Sequence, residues 1–224
     1  MCGRYELNET PANLGSRYRV EPGDLDFARN ADVRPTQTNP VILLCEGQRV
    51  ASMRKWGIVP FWAKDPKAIS TPFNARTEEA YAKPMFRGPF KSKRCLVPAS
   101  AFFEWKAIEG QKKKQKYRIA RADGDLVTLA GLYDRWHHGD ELIESYTILT
   151  TAPNTLMETI HNRMPVILGP ADEDEWLDPA TSVDIARAMC ISCPSDWLTP
   201  FNSFCNNSTA RLHRRSDPRR CRCP

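Results

Sequence analysis

Apolar and polar residues alternate in short segments along most of this chain, which predicts short β-strands separated by tight turns. Segments 41–45, 50–55 and 146–151 show the pattern clearly: they are rich in β-branched and other apolar residues, and Glu46-Gly47 forms a turn between the first two. Further strands are expected at residues 2–7, 94–106, 117–121, 126–133 and 164–168.

Helices are predicted to be few and brief. Thr10-Pro11 has the form of an N-cap followed by proline at the first helical position, which opens a helix toward Tyr18. Further helices are expected at residues 74–82, 153–160 and 172–190, in one or two pieces in the last case. Prolines and glycines predict loops over residues 21–40 and 56–71.

Short strands with few helices favour an α+β fold. The 224 residues fit a single domain with a largely antiparallel, curved, barrel-like sheet and a few short helices. We expect that domain to span residues 2–200, with residues 201–224 forming an Arg/Cys-rich C-terminal tail.

Composition and charge exclude several classes of protein. No apolar segment approaches the ~20 residues that a membrane helix needs, and the polar N-terminus lacks the apolar core of a signal peptide, so we expect a cytoplasmic protein. Six arginines and one aspartate in residues 211–224 account for the whole net charge of +5. The body of the chain is therefore neutral, and only local basic clusters can argue for nucleic-acid binding.

Cys2 follows the initiator methionine, and that position gives it chemistry that an internal cysteine lacks. Because methionine is usually removed before a small residue, we expect a mature chain whose first residue carries both a free α-amine and a thiol. With an aldehyde this pair forms an imine and then a five-membered thiazolidine ring. The ordinary pKa values, near ~8 for the amine and ~8.5 for the thiol, leave both usable at neutral pH. The alternative is an ordinary cysteine.

Other polar residues stand where apolar or small residues would be easier to place. Glu104 lies among three aromatic residues in the segment FFEW, and a carboxylate buried there would have a raised pKa suited to proton transfer. His161 ends a predicted helix, and Asn74 follows Phe73. Each also has an ordinary interpretation: an outward-facing strand residue for Glu104, a helix C-terminal histidine for His161 and a cap or turn for Asn74.

Eight segments, in order along the chain, together resemble one family. They are CGRY at 2–5, RPTQ at 34–37, RKWGIVP at 54–60, FWAKD at 61–65, FNARTE at 73–78, RCLVPA at 94–99, FEW at 103–105 and IHNRMP at 160–165. Over residues 2 to about 177 the chain resembles the SRAP (SOS-response-associated peptidase) family of abasic-site-processing proteins.

The resemblance implies a catalytic group of Cys2, Asn74, Glu104 and His161. Cys2 would crosslink to the ring-opened sugar aldehyde of an abasic site in single-stranded DNA, Glu104 would move protons, His161 would help to open the sugar, and Asn74 would orient the Cys2 terminus. The same imine intermediate supports abasic-site lyase activity, and removal of residues before the cysteine supports autopeptidase activity.

The resemblance also implies a path for the DNA, with no cofactor and no metal. Arg4 and Arg76 would hold phosphates, and Trp62, Met85, Phe86 and Trp105 would offer stacking or wedge surfaces. Residues 83–94 add a basic cluster, whereas the lysine run at 112–116 is interpreted as a solvated hairpin tip. The partner is expected to be abasic single-stranded DNA, bound by a monomer in association with the nucleoid.

Three alternatives stay open at this stage. The first is a Cys/His peptidase built from Cys2, His161 and Glu104, which would hydrolyse peptides and ignore aldehydes. The second is a non-covalent single-stranded DNA-binding module, for which Cys2 would be dispensable. The third is a zinc module, for which the candidate ligands are Cys190, Cys193, Cys205, His213, Cys221 and Cys223.

Overall fold

Short strands dominate the computed structural model, which describes residues 2–21 and 26–202. The strands are β1 (Tyr5–Leu7), β2 (Asn30–Val33), β3 (Thr38–Cys45), β4 (Gln48–Trp56), β5 (Asn74–Arg76), β6 (Arg94–Ala99), β7 (Ala101–Lys106), β8 (Gln115–Arg121), β9 (Val127–His138), β10 (Glu141–Thr151), β11 (Met164–Pro165), β12 (Ile167–Leu168) and β13 (Leu198–Asn202). The helices are α1 (Pro11–Tyr18), α2 (Thr77–Ala80), α3 (Pro84–Ser92), α4 (Thr155–Glu158), α5 (Glu173–Leu177) and α6 (Val183–Ala188), with a 3-10 turn at Ser195–Trp197.

Five strands close into a ring at the centre of the fold. In order around the ring they are β3, β4, β10, β9 and β6, and β6 returns to β3. Only the short β4–β10 contact is parallel; the other four pairs are antiparallel. Closure satisfies the strand edges that an open sheet would leave exposed. The predicted α+β class, with a largely antiparallel, barrel-like sheet in a single domain, is confirmed.

A second sheet, ordered β13-β8-β7-β1-β2, covers the barrel and is antiparallel throughout. Its inner face joins the barrel core through Tyr5, whose hydroxyl lies 2.8 Å from that of Tyr146 and whose ring centroid lies 5.2 Å from that of Trp56. All three aromatic side chains are fully buried. The strand that follows Cys2 is thus fixed against the barrel.

The predicted helix at residues 74–82 is wrong in its first part. Asn74–Arg76 forms strand β5, parallel to β10, and the helix begins only at Thr77. Backbone pairing with a distant strand overrode the local helical preference, which a single sequence does not reveal. The predicted loop over residues 21–40 likewise contains β2, which pairs with β1, and the start of β3.

Helix α3 was not predicted from the sequence, because its prolines at positions 84 and 89 are typical of loops. Proline is tolerated at the first turn of a helix, and apolar Phe86 and Phe90 supply the buried face. At the other end of the domain, Phe201 and Asn202 lie in β13, two residues beyond the boundary expected from the sequence. Residues 203–224 of the predicted tail lie outside the described residues.

Arg94 ties α3 to the segment around α5. Its guanidinium is buried and donates hydrogen bonds to the carbonyl oxygens of Phe90, Lys91, Trp176, Asp178 and Thr181. These carbonyls lie at or beyond helix ends, where the last turn leaves acceptors unsatisfied. Within the part of the chain that is described, no helix is long and apolar enough to span a membrane.

Replacing Arg94 by methionine should lower the free energy of unfolding by about 3 kcal/mol or more, because the carbonyls would lose their donor while still buried. Urea denaturation followed by tryptophan fluorescence measures this. Arg135→Gln is the control, since Arg135 is 63% exposed and pairs only with Glu144, and it should cost less than about 1 kcal/mol. Equal losses for both variants would contradict a structural role for the Arg94 cluster.

Candidate active site and nucleic-acid interface

Cys2 lies immediately before β1 and is fully buried. Its position is set by its neighbours: Tyr5 pairs with Phe102 on one side and Val33 on the other, and the backbone N–H of Phe103 donates to the carbonyl of Arg4 at 2.9 Å. The Cys2 Sγ lies 3.7 Å from that same Arg4 carbonyl oxygen. The cysteine is therefore held at the inner edge of the second sheet.

Asn74 reaches Cys2 from the barrel side. Its Nδ2 donates to the Cys2 carbonyl oxygen at 2.9 Å. The preceding carbonyl, that of Phe73, accepts from the indole N–H of Trp56 at 2.7 Å and from the backbone of Ile148 at 3.1 Å, which fixes the start of β5. Asn74 Oδ1 is buried and has no hydrogen-bond partner among the described residues, so an acceptor beside Cys2 remains available to an incoming donor.

Glu104 is buried on β7, on the same face of the strand as Phe102. The ordinary alternative, an outward-facing strand carboxylate, does not match this placement. Burial raises the pKa of Glu104 to about 7, against an opposing contribution from the backbone N–H of Trp105. A carboxyl group with such a pKa exchanges protons readily near neutral pH.

His161 follows α4 and faces Glu104. Its backbone N–H donates to the Met157 carbonyl at 2.8 Å, and its Nε2 lies 3.9 Å from Glu104 Oε2. Nδ1 lies within hydrogen-bond distance of both the backbone N–H (3.1 Å) and the carbonyl oxygen (3.2 Å) of Arg163, so this residue fixes the orientation of the ring without selecting one tautomer. Partial burial lowers the pKa of His161, which favours the neutral form.

The thiol of Cys2 responds to the same burial. Burial raises the pKa of Cys2 strongly, and the negative charge of Glu104 raises it further. The resting site therefore holds a protonated thiol beside a carboxyl group that is about half ionised at neutral pH. Any nucleophilic chemistry here needs a proton acceptor before sulfur can attack.

Outside this group, two of the predicted DNA-binding residues lie together. The guanidinium carbon of Arg4 is 5.6 Å from the centroid of the Trp105 ring, and Arg4 Nε is 3.4 Å from Asp32 Oδ1. Arg76, at the end of β5, is exposed. Both cations thus flank the strand ends that carry Cys2 and Asn74.

The predicted apolar contacts divide into exposed and buried ones. Trp62 is 48% exposed, and Met85 is partly buried against the core. Phe86, however, is only 7% exposed and belongs to the hydrophobic core. Its expected role as a stacking surface does not fit this arrangement, because the ring faces inward from α3.

Asp134 was not singled out from the sequence, and it holds the loop that presents Trp62. This fully buried carboxylate accepts the backbone N–H of Phe61 at 2.9 Å and the Nζ of Lys93 at 2.6 Å. On the same strand, the indole N–H of Trp136 donates to the Ala63 carbonyl at 2.6 Å. The signal for Asp134 was the one that singled out Glu104: an isolated acid within an apolar, aromatic strand.

The zinc hypothesis falls partly outside the described residues, which exclude Cys205, His213, Cys221 and Cys223. Cys190 and Cys193 are described, and both are buried free thiols. Residues 2–21 and 26–202 contain no group of three or more side chains arranged to hold a metal ion.

Comparison with known proteins places this geometry in context. A sequence model of the family described as SOS response associated peptidase (SRAP) matches residues 1–201. The abasic site processing protein YoqW of Bacillus subtilis is 40% identical, covering 93% of this chain and 97% of that protein. The abasic site processing protein HMCES of Xenopus tropicalis is 29% identical, covering 93% and 75%. A crystal structure of a protein from Bacteroides thetaiotaomicron matches with a TM-score of 0.81 at 27% identity, covering 90% and 91%.

The raised pKa of Glu104 predicts a pH-dependent cost of folding. Because the folded protein binds this proton more tightly than the unfolded chain, stability should fall as pH rises from the ordinary carboxyl value of 4.5 to about 7. Glu104→Gln lacks this titration. Between pH 4.5 and about 7 the unfolding free energy of the variant should therefore rise relative to that of the wild type, by on the order of 2 kcal/mol. Urea denaturation at several pH values measures the difference.

Glu78→Gln provides the opposite case. The pKa of Glu78 is lowered by its hydrogen bond to Arg163, so its contribution is present above the ordinary carboxyl value and is lost as pH falls. For Glu104 itself, parallel curves of unfolding free energy against pH for wild type and Glu104→Gln would contradict a buried Glu104 with a raised pKa.

Proposed function

The chain belongs to the SOS-response-associated peptidase (SRAP) family, and from this premise we propose that it captures abasic sites in single-stranded DNA by a covalent bond to Cys2, as part of the DNA damage response. One observation carries the proposal. Four polar residues from separate segments meet at one place: Asn74 holds the Cys2 carbonyl, the charge of Glu104 acts on the Cys2 thiol, and His161 faces Glu104.

The chemistry requires removal of Met1, which makes the α-amine part of Cys2. The amine nitrogen attacks the aldehyde carbon of the ring-opened deoxyribose, and loss of water gives an imine. The sulfur then adds to the imine carbon, the new C–S bond closes a thiazolidine, and the thiol proton passes to nitrogen. Atoms balance with water as the only by-product, and no oxidant or metal is needed.

The protonation states support amine attack before sulfur attack. The buried Cys2 thiol is protonated at neutral pH, whereas Glu104, with a pKa of about 7, accepts a proton from the attacking amine and returns it to the departing hydroxyl. Formation of a protonated imine then places a positive charge beside the thiol, which favours its ionisation and ring closure.

His161 and Asn74 have supporting roles in this proposal. The imidazole Nε2 faces Glu104, and in the tautomer that carries its proton there it donates to the sugar oxygen during ring opening. Asn74 holds the Cys2 carbonyl, and its buried Oδ1 is placed to accept a hydrogen from the sugar or from the mature amine.

The proposed DNA path follows exposed and partly exposed residues around the pocket. Arg4 and Arg76 contact phosphates, Trp62 and Trp105 stack on bases, and Met85 lies beside the lesion. Stacking on side chains requires unpaired bases, which favours single-stranded DNA over duplex. Phe86 is left out of this path because it is part of the core.

Related activities follow from the same intermediate. An imine at the sugar carbon acidifies the neighbouring position and permits β-elimination, which gives abasic-site lyase activity. Hydrolysis of the bond before Cys2 would be an autopeptidase reaction using the same Glu104 and His161. Two other functions compete with this proposal: a peptidase that acts on other proteins, and a non-covalent single-stranded DNA-binding module.

Incubation with an oligonucleotide containing uracil, treated beforehand with uracil glycosylase, tests the proposal. Wild type should give a protein–DNA adduct that survives a denaturing gel, and Cys2→Ala should give none. A variant with alanine inserted before Cys2, whose intact mass shows that the alanine is retained, should also give none, because its amine and thiol are no longer on adjacent carbons. Intact mass of the wild-type adduct should equal protein without Met1 plus DNA minus one water.

Cys45→Ala is the matched control, because Cys45 is an exposed free thiol. It should crosslink as wild type does. Adducts of equal yield with Cys2→Ala would exclude the aminothiol mechanism. A wild-type protein that forms no adduct, yet hydrolyses peptides, would support the peptidase instead.

A further inference from the structure

The turn between β7 and β8 concentrates positive charge beside the pocket. We call residues 106–116 the basic hairpin; it contains Lys106, Lys112, Lys113, Lys114 and Lys116, with Glu109 as its single acid. We infer that the basic hairpin is a phosphate-binding arm for the single strand that flanks the lesion. This inference rests on the proposed function and adds a second electrostatic contact to it, on the side of Trp105.

The hairpin is aligned with the site by its register. Trp105 and Lys116 are directly opposite on β7 and β8, one residue from the Glu104–Tyr117 pair. The Nζ of Lys116 lies 3.7 Å from the centroid of the Phe103 ring and 5.8 Å from that of Trp105. Glu104 precedes Trp105 on β7. Lys116, the first lysine of β8, therefore lies opposite the residue that follows Glu104.

Two cations lie over the Trp105 ring. The guanidinium carbon of Arg4 is 5.6 Å from the ring centroid, and the Nζ of Lys116 is 5.8 Å from it. Such contacts hold the cationic side chains near an aromatic ring, where each is worth roughly 0.5–1 kcal/mol. An aromatic surface with two cations beside it offers a single strand a stacking surface for a base and contacts for its phosphates.

The lysines at the tip lack acidic partners. Some arginines beside other turns have a local acidic partner, as Arg121 has in Asp123 and Arg34 has in Asp32. Lys112, Lys113 and Lys114 are exposed and form no ion pair with any described residue. The strands that carry the tip pair directly, Lys106 with Gln115 and Trp105 with Lys116, so the tip extends from the strand end that follows Glu104. The positive charge of Lys114 also acts on Glu104 and His161.

Non-covalent binding separates this inference from the covalent chemistry. An oligonucleotide carrying tetrahydrofuran in place of the abasic sugar has no aldehyde, so it reports affinity alone. The logarithm of its binding constant should fall linearly with the logarithm of salt concentration, by about 0.7 for each phosphate contact to a single strand. In the triple variant Lys112→Gln, Lys113→Gln, Lys114→Gln, the slope should decrease in magnitude by about 1 to 2.

A charge-matched variant controls for net charge. Arg19→Gln, Lys55→Gln, Arg135→Gln removes three exposed cations outside the hairpin and should keep the wild-type slope. The hairpin variant should still reach the wild-type adduct yield with true abasic DNA at saturating protein, because its catalytic residues are intact. Lys116→Met keeps an apolar cover over Phe103. It should reduce the magnitude of the slope by less than the roughly 0.7 expected for one phosphate contact.

The outcomes distinguish the two proposals. Equal slopes for wild type and the hairpin triple variant, or an equal decrease in the charge-matched variant, would refute the phosphate-binding arm while leaving adduct formation untouched. Absence of any adduct with the wild type, together with a reduced slope in the hairpin variant, would refute covalent capture and would keep the hairpin as a contact of a non-covalent binding protein.

Discussion

The docking of β1 against the barrel is the constraint on which the rest of the site depends. The first residues of most domains fray, because nothing ties them down. Here β1 is paired on both sides, by β2 and β7, and Tyr5 is locked into the barrel through Tyr146 and Trp56. Cys2 lies three residues before Tyr5, is fully buried, and is held by the hydrogen bond from Asn74 to its carbonyl oxygen. A terminal amine produced at this position would therefore be oriented before any substrate arrives, which avoids the entropy cost of ordering a flexible end during reaction.

Burial that fixes the terminus also sets its chemistry. Desolvation raises the pKa of both Cys2 and Glu104, and the negative charge of Glu104 raises that of the thiol again. The two groups thus resist being ionised together, as expected for acids that share one poorly solvated space. Such a site disfavours the thiolate in its resting state and favours sequential proton transfer. The arrangement favours an amine-first reaction over the thiolate-first reaction of a cysteine peptidase, which depends on a lowered thiol pKa.

Local context in the sequence was enough for some elements and misleading for others. The Thr10-Pro11 start of α1, the meander of short strands and the isolated acid in FFEW were all predictable, because each is decided by neighbours in the chain. Asn74 was expected in a helix and lies in a strand, because its pairing partner on β10 is distant in sequence. Phe86 was expected at the surface and lies in the core, since the unpredicted helix α3 turns it inward. Asp134 carried the same signal as Glu104 but was not singled out, because no motif contains it.

Charge was the property least well judged from sequence. Residues 83–94 are the obvious basic cluster, yet much of it is engaged within the fold. Lys83 pairs with Glu79, and Lys93 pairs with buried Asp134. The buried guanidinium of Arg94 donates its hydrogen bonds to backbone carbonyls. The basic hairpin, dismissed on sequence as a solvated tip, keeps its tip lysines without acidic partners and lies beside Trp105. Counterion release depends on cations that can reach phosphates, so for the proposed DNA contact the unneutralised cations matter and the count of basic residues does not. The electrostatic surface of the described residues is therefore a result of tertiary pairing, and the hairpin beside Trp105 is one place where that pairing leaves positive charge available.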